Sequence, residues 1–285
     1  MVGITGNSPS LRSQWLGEKL RELRKHSGYS LRYVGDYLQR DPATLSRNEN
    51  GELTVRRGDL LALMDLYGVS DERERAALEQ LREEAWRKGW WDQHREDLGN
   101  DFINVPWLES RADRICKYHN MLVEGLLQTR EYAETLIRYA DPDEPEDQIQ
   151  RWVDLRMDRQ RILQGEAPAR LAVILEEAVF HRPIGTRAVW GGQLEHLLGE
   201  GQRENVEVRV IPFSAAPHAG HEGSFMLFEM PEPYLQVAHL DTPAGQLFIE
   251  EPAVHRFSYV WKDLTRKALG PGESAQLIAR HLEEI

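Results

Sequence analysis

Residues 30–51, SLRYVGDYLQRDPATLSRNENG, constrain the fold of this chain more than any other stretch. They read as a short amphipathic helix, a tight turn and a second short helix that opens at Asp41-Pro42. In the first helix Leu31, Val34 and Leu38 share one face, the spacing that amphipathic helices use. In the second, Asp41 is a good N-cap and Pro42 fits the first helical position, where no backbone donor is needed. Leu45 then points inward, while Ala43, Thr44, Ser46 and Arg47 point outward, and Gly51 stops the helix. Small and polar side chains with one Arg, on the open face of a short helix, suit a reader of the DNA major groove. Such a helix must approach the base edges closely, and Arg can pair in bidentate fashion with guanine.

The flanking segments fit the same design. Residues 15–27 form an amphipathic helix with Leu16, Leu20 and Leu23 inward and Lys19, Arg21, Arg24 and Lys25 outward. Residues 57–67 form another, with Leu60, Leu63, Met64 and Tyr67 as its apolar side. Four or five short helices around one small core fit within ~70 residues, a size that folds alone. The run S-L-R-x-V-G-x-Y-L, then D-P-A-T-L-S-R, then E-x-G resembles the lambda-repressor-like, xenobiotic-response-element type of helix-turn-helix. The resemblance covers about a quarter of the chain. It implies that helix 41–49 enters the major groove, with Arg47, Ala43 and Thr44 facing bases. Ser46, Asn50, Arg32 and Arg40 would hold phosphates, and Pro42 would lie at the same interface. A homodimer on a two-fold operator is the expected state.

Three residues depart from that pattern. Gln39 stands where a turn glycine is common, Arg40 where a small apolar residue packs, and Asn48 where an apolar residue anchors the reading helix. A left-handed Gln39 would cost ~1 kcal/mol or more, and a buried Asn48 would need hydrogen-bond partners. Two readings therefore stand: a working DNA reader, or a helical module that packs or dimerises without reading DNA.

Net charge is -12, which looks wrong for a nucleic-acid binder, but it is unevenly spread. Residues 1–70 carry 10 Lys+Arg against 8 Asp+Glu, leaving 25 against 39 for the remainder. A mildly basic module followed by an acidic one keeps the second part off the phosphate backbone. The single cysteine, Cys116, excludes an internal disulfide framework and points to a reducing compartment. Residues 1–13 lack an apolar signal core, and no apolar run approaches the ~20 residues that span a bilayer. A cytoplasmic location and no membrane partner are expected.

Residues 70–88 read as a connecting helix, with Ala76, Leu78, Leu81 and Ala85 among its apolar positions. An aromatic cluster follows: Trp86, Trp90, Trp91, Phe102 and Trp107. These rings either pack for burial alone or, with His218, line a pocket for a small-molecule effector. Beyond them, residues 107–140 are helical in pattern, with a turn at Glu124-Gly125, and a long helix runs from Gln148 to Leu163. Then the period changes. Strands are expected at 171–177, 206–213, 224–230, 234–240 and 247–251, with a helix at 186–200 and two closing helices at 252–269 and 273–284. The expected architecture is a mainly α N-terminal helix-turn-helix bundle (10–69), a connecting helix and aromatic linker (70–106), and an α+β C-terminal domain with a small mixed sheet (107–285).

The succession LVEGLLQTREYAETLI, DLRMDRQRIL, RLAVILEEAVFHRPIG, QLEHLLG, VEVRVIPFSAAPHAG and SFMLFEM resembles one group of actinobacterial regulators, the WhiJ type, whose C-terminal domain is largely uncharacterised. That resemblance implies a developmental or stress-linked transcription factor. It also implies a partner, a small acidic protein commonly encoded next door, in an arrangement likened to antitoxin and toxin. The competing function is thus an antitoxin-like interaction module with weak or no DNA reading.

Little in the C-terminal segment spells enzyme chemistry. His218 and His221 form an H-x-x-H pair in PHAGHEG, with Glu222 adjacent, but Pro217, Gly220 and Gly223 place it in a loop with no obvious third ligand. Glu176, Glu177 and His181 follow a strand end and could be imagined as acid and base, yet no nucleophile pairs with them. The chain lacks G-x-S-x-G, a phosphate-binding glycine loop and C-x-x-C. A non-enzyme without cofactor or metal is expected.

Overall fold

The computed structural model describes residues 9–87, 89, 104–243 and 245–285. The described residues divide into two compact units, with the boundary between Trp107 and Leu108.

The first unit is a helical bundle: α1 (Leu11–His26), α2 (Leu31–Leu38), α3 (Pro42–Glu49), α4 (Arg57–Leu66) and α5 (Glu72–Trp86). Its caps are local. Ser30 accepts from the Tyr33 amide at the start of α2, and Asp41 accepts from the Ala43 amide with Pro42 at the first position of α3. Leu16, Leu20, Val34, Leu45, Leu60, Leu63 and Met64 fill the core. The segment read from sequence as a connector behaves otherwise: α5 packs against α1 and α4 and buries Leu78 and Leu81 in the same unit. Ala76, expected on its apolar side, is exposed.

Two glycines set how tightly this bundle closes. A Cβ on Gly17 would stand 2.6 Å from the carbonyl oxygens of Asn48 and Glu49, so α1 touches the end of α3 backbone to backbone. A Cβ on Gly35 would stand 2.7 Å from the Arg40 carbonyl, so the turn folds directly over α2. That turn ends α2 with Gln39 in the left-handed region (φ 54°), and the Arg40 amide donates to Gly35 O at 2.9 Å. This is the geometry in which glycine is the usual residue, and Gln39 is the one non-glycine residue at positive φ among those described.

The second unit is built on a six-stranded mixed sheet in the order β3-β2-β1-β4-β5-β6. The strands are β1 (Arg114–His119), β2 (Arg170–Glu176), β3 (Val206–Ile211), β4 (Phe225–Glu229), β5 (Val237–Thr242) and β6 (Gly245–Ile249). β1, β2 and β3 run parallel, with Ile115 opposite Leu171 and Leu171 opposite Val206. β4, β5 and β6 continue antiparallel, with Cys116 opposite Leu227 and Leu227 opposite Ala238. Residues 104–111 are helical and are labelled α6. The remaining helices are α7 (Arg130–Ala140), α8 (Glu146–Gln160), α9 (Arg187–Glu200), α10 (Val254–Lys267) and α11 (Pro271–Glu283). Helices α7 and α8 make the crossover from β1 to β2, and α9 makes the one from β2 to β3, as parallel neighbours require.

The expected fold class, a helical N-terminal bundle followed by an α+β domain with a mixed sheet, is what forms. One segment differs. Residues 114–119, RICKYH, were expected within a helical stretch, but they form β1, next to the middle of the sheet. A strand buried on both faces does not alternate, and Lys117 interrupts its apolar run. Cys116 and Tyr118 face one core with Ala172, Ile174, Leu227, Ala238, Trp261 and Leu264. Ile115 and Lys117 alternate to the other side, and Lys117 is fully buried.

Candidate functional site

The α2–turn–α3 unit carries the residues expected at a nucleic-acid interface. Leu45 is buried and holds α3 to the core, while Pro42, Ala43, Arg47 and Asn50 are exposed and Thr44 and Ser46 are half-buried. On α2, Arg32 is exposed. The side chains of Arg47 and Arg32 make no hydrogen bond or ion pair with any described residue.

The other two expected contacts already have partners within the protein. Arg40 pairs with Asp59 of α4, its Nε and Nη2 each 3.2 Å from a carboxylate oxygen. That ion pair is how a cation is accommodated where a small apolar residue is usual. Asn50 accepts from Arg21 and donates to Glu52. The third unusual residue, Asn48, is half-buried and donates to the Leu53 carbonyl at 2.7 Å, so its amide is satisfied locally.

Apolar periodicity gave no sign of what fixes the end of α3. Glu49 is buried and accepts from Arg24 at 2.6 and 2.8 Å, with Arg21 at 3.5 Å. Hydrogen bonding to Glu49 raises the Arg24 pKa against the opposing effect of burial. Burial first, then the Glu49 charge, also raises Tyr67, which therefore stays a neutral phenol. This ion pair ties α3 to α1 and leaves the outer face of α3 open.

The aromatic residues considered for a pocket are occupied differently. Trp107 is fully buried, edge-on to Trp15 at 5.5 Å, and donates to the buried Glu84 carboxylate at 3.1 Å. Trp86 is half exposed and donates to the Val55 carbonyl. Trp90, Trp91 and Phe102 lie outside the described residues. His218 belongs to the second unit. Its Nε2 lies 3.0 Å from Glu176 Oε1, which also accepts from the Tyr118 hydroxyl at 2.7 Å. Burial and then Glu176 raise the Tyr118 pKa well above its ordinary value. The H-x-x-H pair is thereby split, because His218 turns to Glu176 while His221 is exposed.

Glu177, one residue on, turns to a different neighbourhood. Its Oε2 accepts from the Phe213 amide at 2.6 Å, and its Oε1 lies 3.8 Å from His181 Nε2. The His181 ring meets His281 of α11 edge-on, with centroids 4.8 Å apart. His281 was invisible to sequence reasoning, since only the fold brings α11 to the end of β2.

A third cluster lies inside the second unit. Lys117 Nζ donates to Glu109 at 2.9 Å and to Glu124 at 2.6 Å, and Arg159 donates to Glu109 at 2.7 and 3.1 Å. His119 completes it, 2.5 Å from Glu124. Burial alone would raise both carboxyls. The opposing pull of Arg159 and Lys117 on Glu109, and of Lys117 and His119 on Glu124, leaves both below the ordinary carboxylate value, Glu124 well below. These charges satisfy one another, as buried charges must. Cys116, on the opposite side of β1, is buried and its thiol is pushed up to about 12 by burial, so it is an inert packing residue near neutral pH.

Comparison with known families bears on both units. Residues 15–78 match the family described as a helix-turn-helix domain. Residues 102–280 match the domain of unknown function DUF5753. No curated protein and no solved structure matches the chain. With most of its length inside that match, the chain belongs to the DUF5753 family and carries a helix-turn-helix domain at its N-terminal end.

Proposed function

We propose that this DUF5753 protein is a transcriptional regulator that reads double-stranded DNA through α3, in the manner of the actinobacterial WhiJ-type regulators it resembles. The observation that carries the reading is the outer face of α3. There an exposed Arg47, without a side-chain partner among the described residues, stands beside Ala43 and Thr44, on a helix held from behind by Leu45 and the Glu49–Arg24 pair. A side chain that no described residue engages, on a helix fixed in place, is available for base edges. In this reading Arg47, Ala43 and Thr44 face bases and Arg32 and Ser46 hold phosphates. Arg40 and Asn50 would reach phosphates only by sharing or leaving Asp59 and Arg21.

One such module buries little surface, so a homodimer on a two-fold operator is the binding unit. The C-terminal unit would set its activity by taking up an effector or a small acidic partner protein. The test is selection from random duplex DNA by the full chain at near-physiological salt. An enriched two-fold motif is the expected result. No enrichment by folded protein would contradict the reading and turn attention to the antitoxin-like interaction role.

A further inference from the structure

Among the described residues, Glu177, His181 and His281 form the one group of three metal-ligating side chains, with a donor atom of each within 4.8 Å of the others. We propose that these three residues bind a divalent transition-metal ion, with zinc the best fit. The inference concerns only the C-terminal unit and stands whether or not α3 reads DNA.

The donor set comes first. Two imidazoles and one carboxylate make the His/His/Glu combination that Zn2+ accepts, with a fourth tetrahedral position left open. Glu177 and His181 are four apart on one short helical turn after β2, and His281 arrives from α11. Metal–donor bonds of ~2.0–2.2 Å require these atoms to draw together. His181 can supply that movement, because its side chain is half exposed.

The surroundings are those of a held site. The Phe213 amide fixes one oxygen of Glu177, leaving the other toward His181. Phe180 stacks on His281 at 5.6 Å and Phe213 lies against His181 at 5.1 Å, which orients both rings. Glu284 Oε2 is 3.6 Å from His281 Nδ1, placed to accept from that nitrogen when the other binds metal. His181 and His281 also line a cleft of about 350 Å³, with Arg187 and Trp190 on its walls. The open coordination position can thus take water or a small anionic ligand drawn by Arg187. The H-x-x-H pair offers nothing comparable, since His218 is engaged by Glu176.

The test is titration of the untagged, metal-free full chain with Zn2+ by calorimetry and with Co2+ by visible absorption, which reports a tetrahedral site. One ion per chain is expected, with a rise in melting temperature that depends on metal concentration. His281→Ala and His181→Ala should each weaken affinity by about tenfold or more, while His218→Ala should leave it unchanged. His181 is exposed enough that its variant keeps the fold, which circular dichroism checks, should His281→Ala fail to fold. No stoichiometric uptake, or uptake that survives folded His181→Ala unweakened, would overturn the proposal.

Discussion

Arg47 and Lys117 are both cations on elements that organise their units, and their surroundings are opposite. Arg47 stands on the open face of α3 with no carboxylate partner among the described residues, whereas Lys117 is fully buried in β1 with Glu109 and Glu124 at hydrogen-bond distance. The contrast separates a charge left open to solvent from a charge matched within the fold. A solvated cation contributes little to stability and is available to a phosphate or a base. A buried one must be matched, and removing it strands whatever matched it.

The largest effect should follow from breaking the buried cluster. Lys117→Met keeps much of the side-chain volume but leaves Glu109 and Glu124 without their shared cation. The expected loss is ~3–5 kcal/mol of stability, read from the denaturation midpoint. Acid should attack the same place. Glu109 and Glu124 have folded pKa values below their unfolded ones, so the unfolded chain binds more protons as pH falls. Their contribution is complete above the unfolded carboxylate value of ~4.3 and is lost on acidification through the folded values. Unfolding followed against pH should show stability falling below that point, and the slope should be shallower in Lys117→Met. A decline confined to alkaline pH would contradict this account.

A packing change in the other unit comes next. Gly17→Ala forces a methyl group onto the carbonyls of Asn48 and Glu49. It should cost ~1–3 kcal/mol and weaken DNA binding as well, because it displaces α3. The turn offers a gain: Gln39→Gly relieves a left-handed side chain and should stabilise by ~1 kcal/mol, visible as a raised melting temperature with DNA binding retained. Smallest of all, Arg47→Ala should change stability by no more than ~0.5 kcal/mol. A larger loss would mean that Arg47 has a structural partner and would erase the contrast with Lys117.

How much of this was legible in the sequence follows the range of the interactions. The caps at Ser30 and Asp41-Pro42 act within a few residues, and they mark α2 and α3. LAVILEE and VEVRVIPF carry enough β-branched and apolar residues to give β2 and β3. RICKYH did not announce β1, because Lys117 is tolerable inside a sheet only once Glu109 and Glu124 close on it in three dimensions. Periodicity carries no signal for Glu49, because Arg24 and Arg21 reach it from α1 only once the bundle closes. At the candidate interface, Arg47 and Ala43 could be placed outward from periodicity alone, while the engagement of Arg40 by Asp59 could not. The meeting of His281 with Glu177 and His181 depends on α11 packing against β3 and α9.

The central claim is that the outer face of α3 exists for DNA. Its most direct measurement is the affinity of the full-length protein and of Arg47→Ala for a selected duplex and for a duplex of scrambled sequence, by fluorescence anisotropy at fixed salt. The account predicts a loss of roughly 1–3 kcal/mol on the selected duplex only, with specificity relaxed. Equal affinity of the two proteins for both duplexes would contradict it.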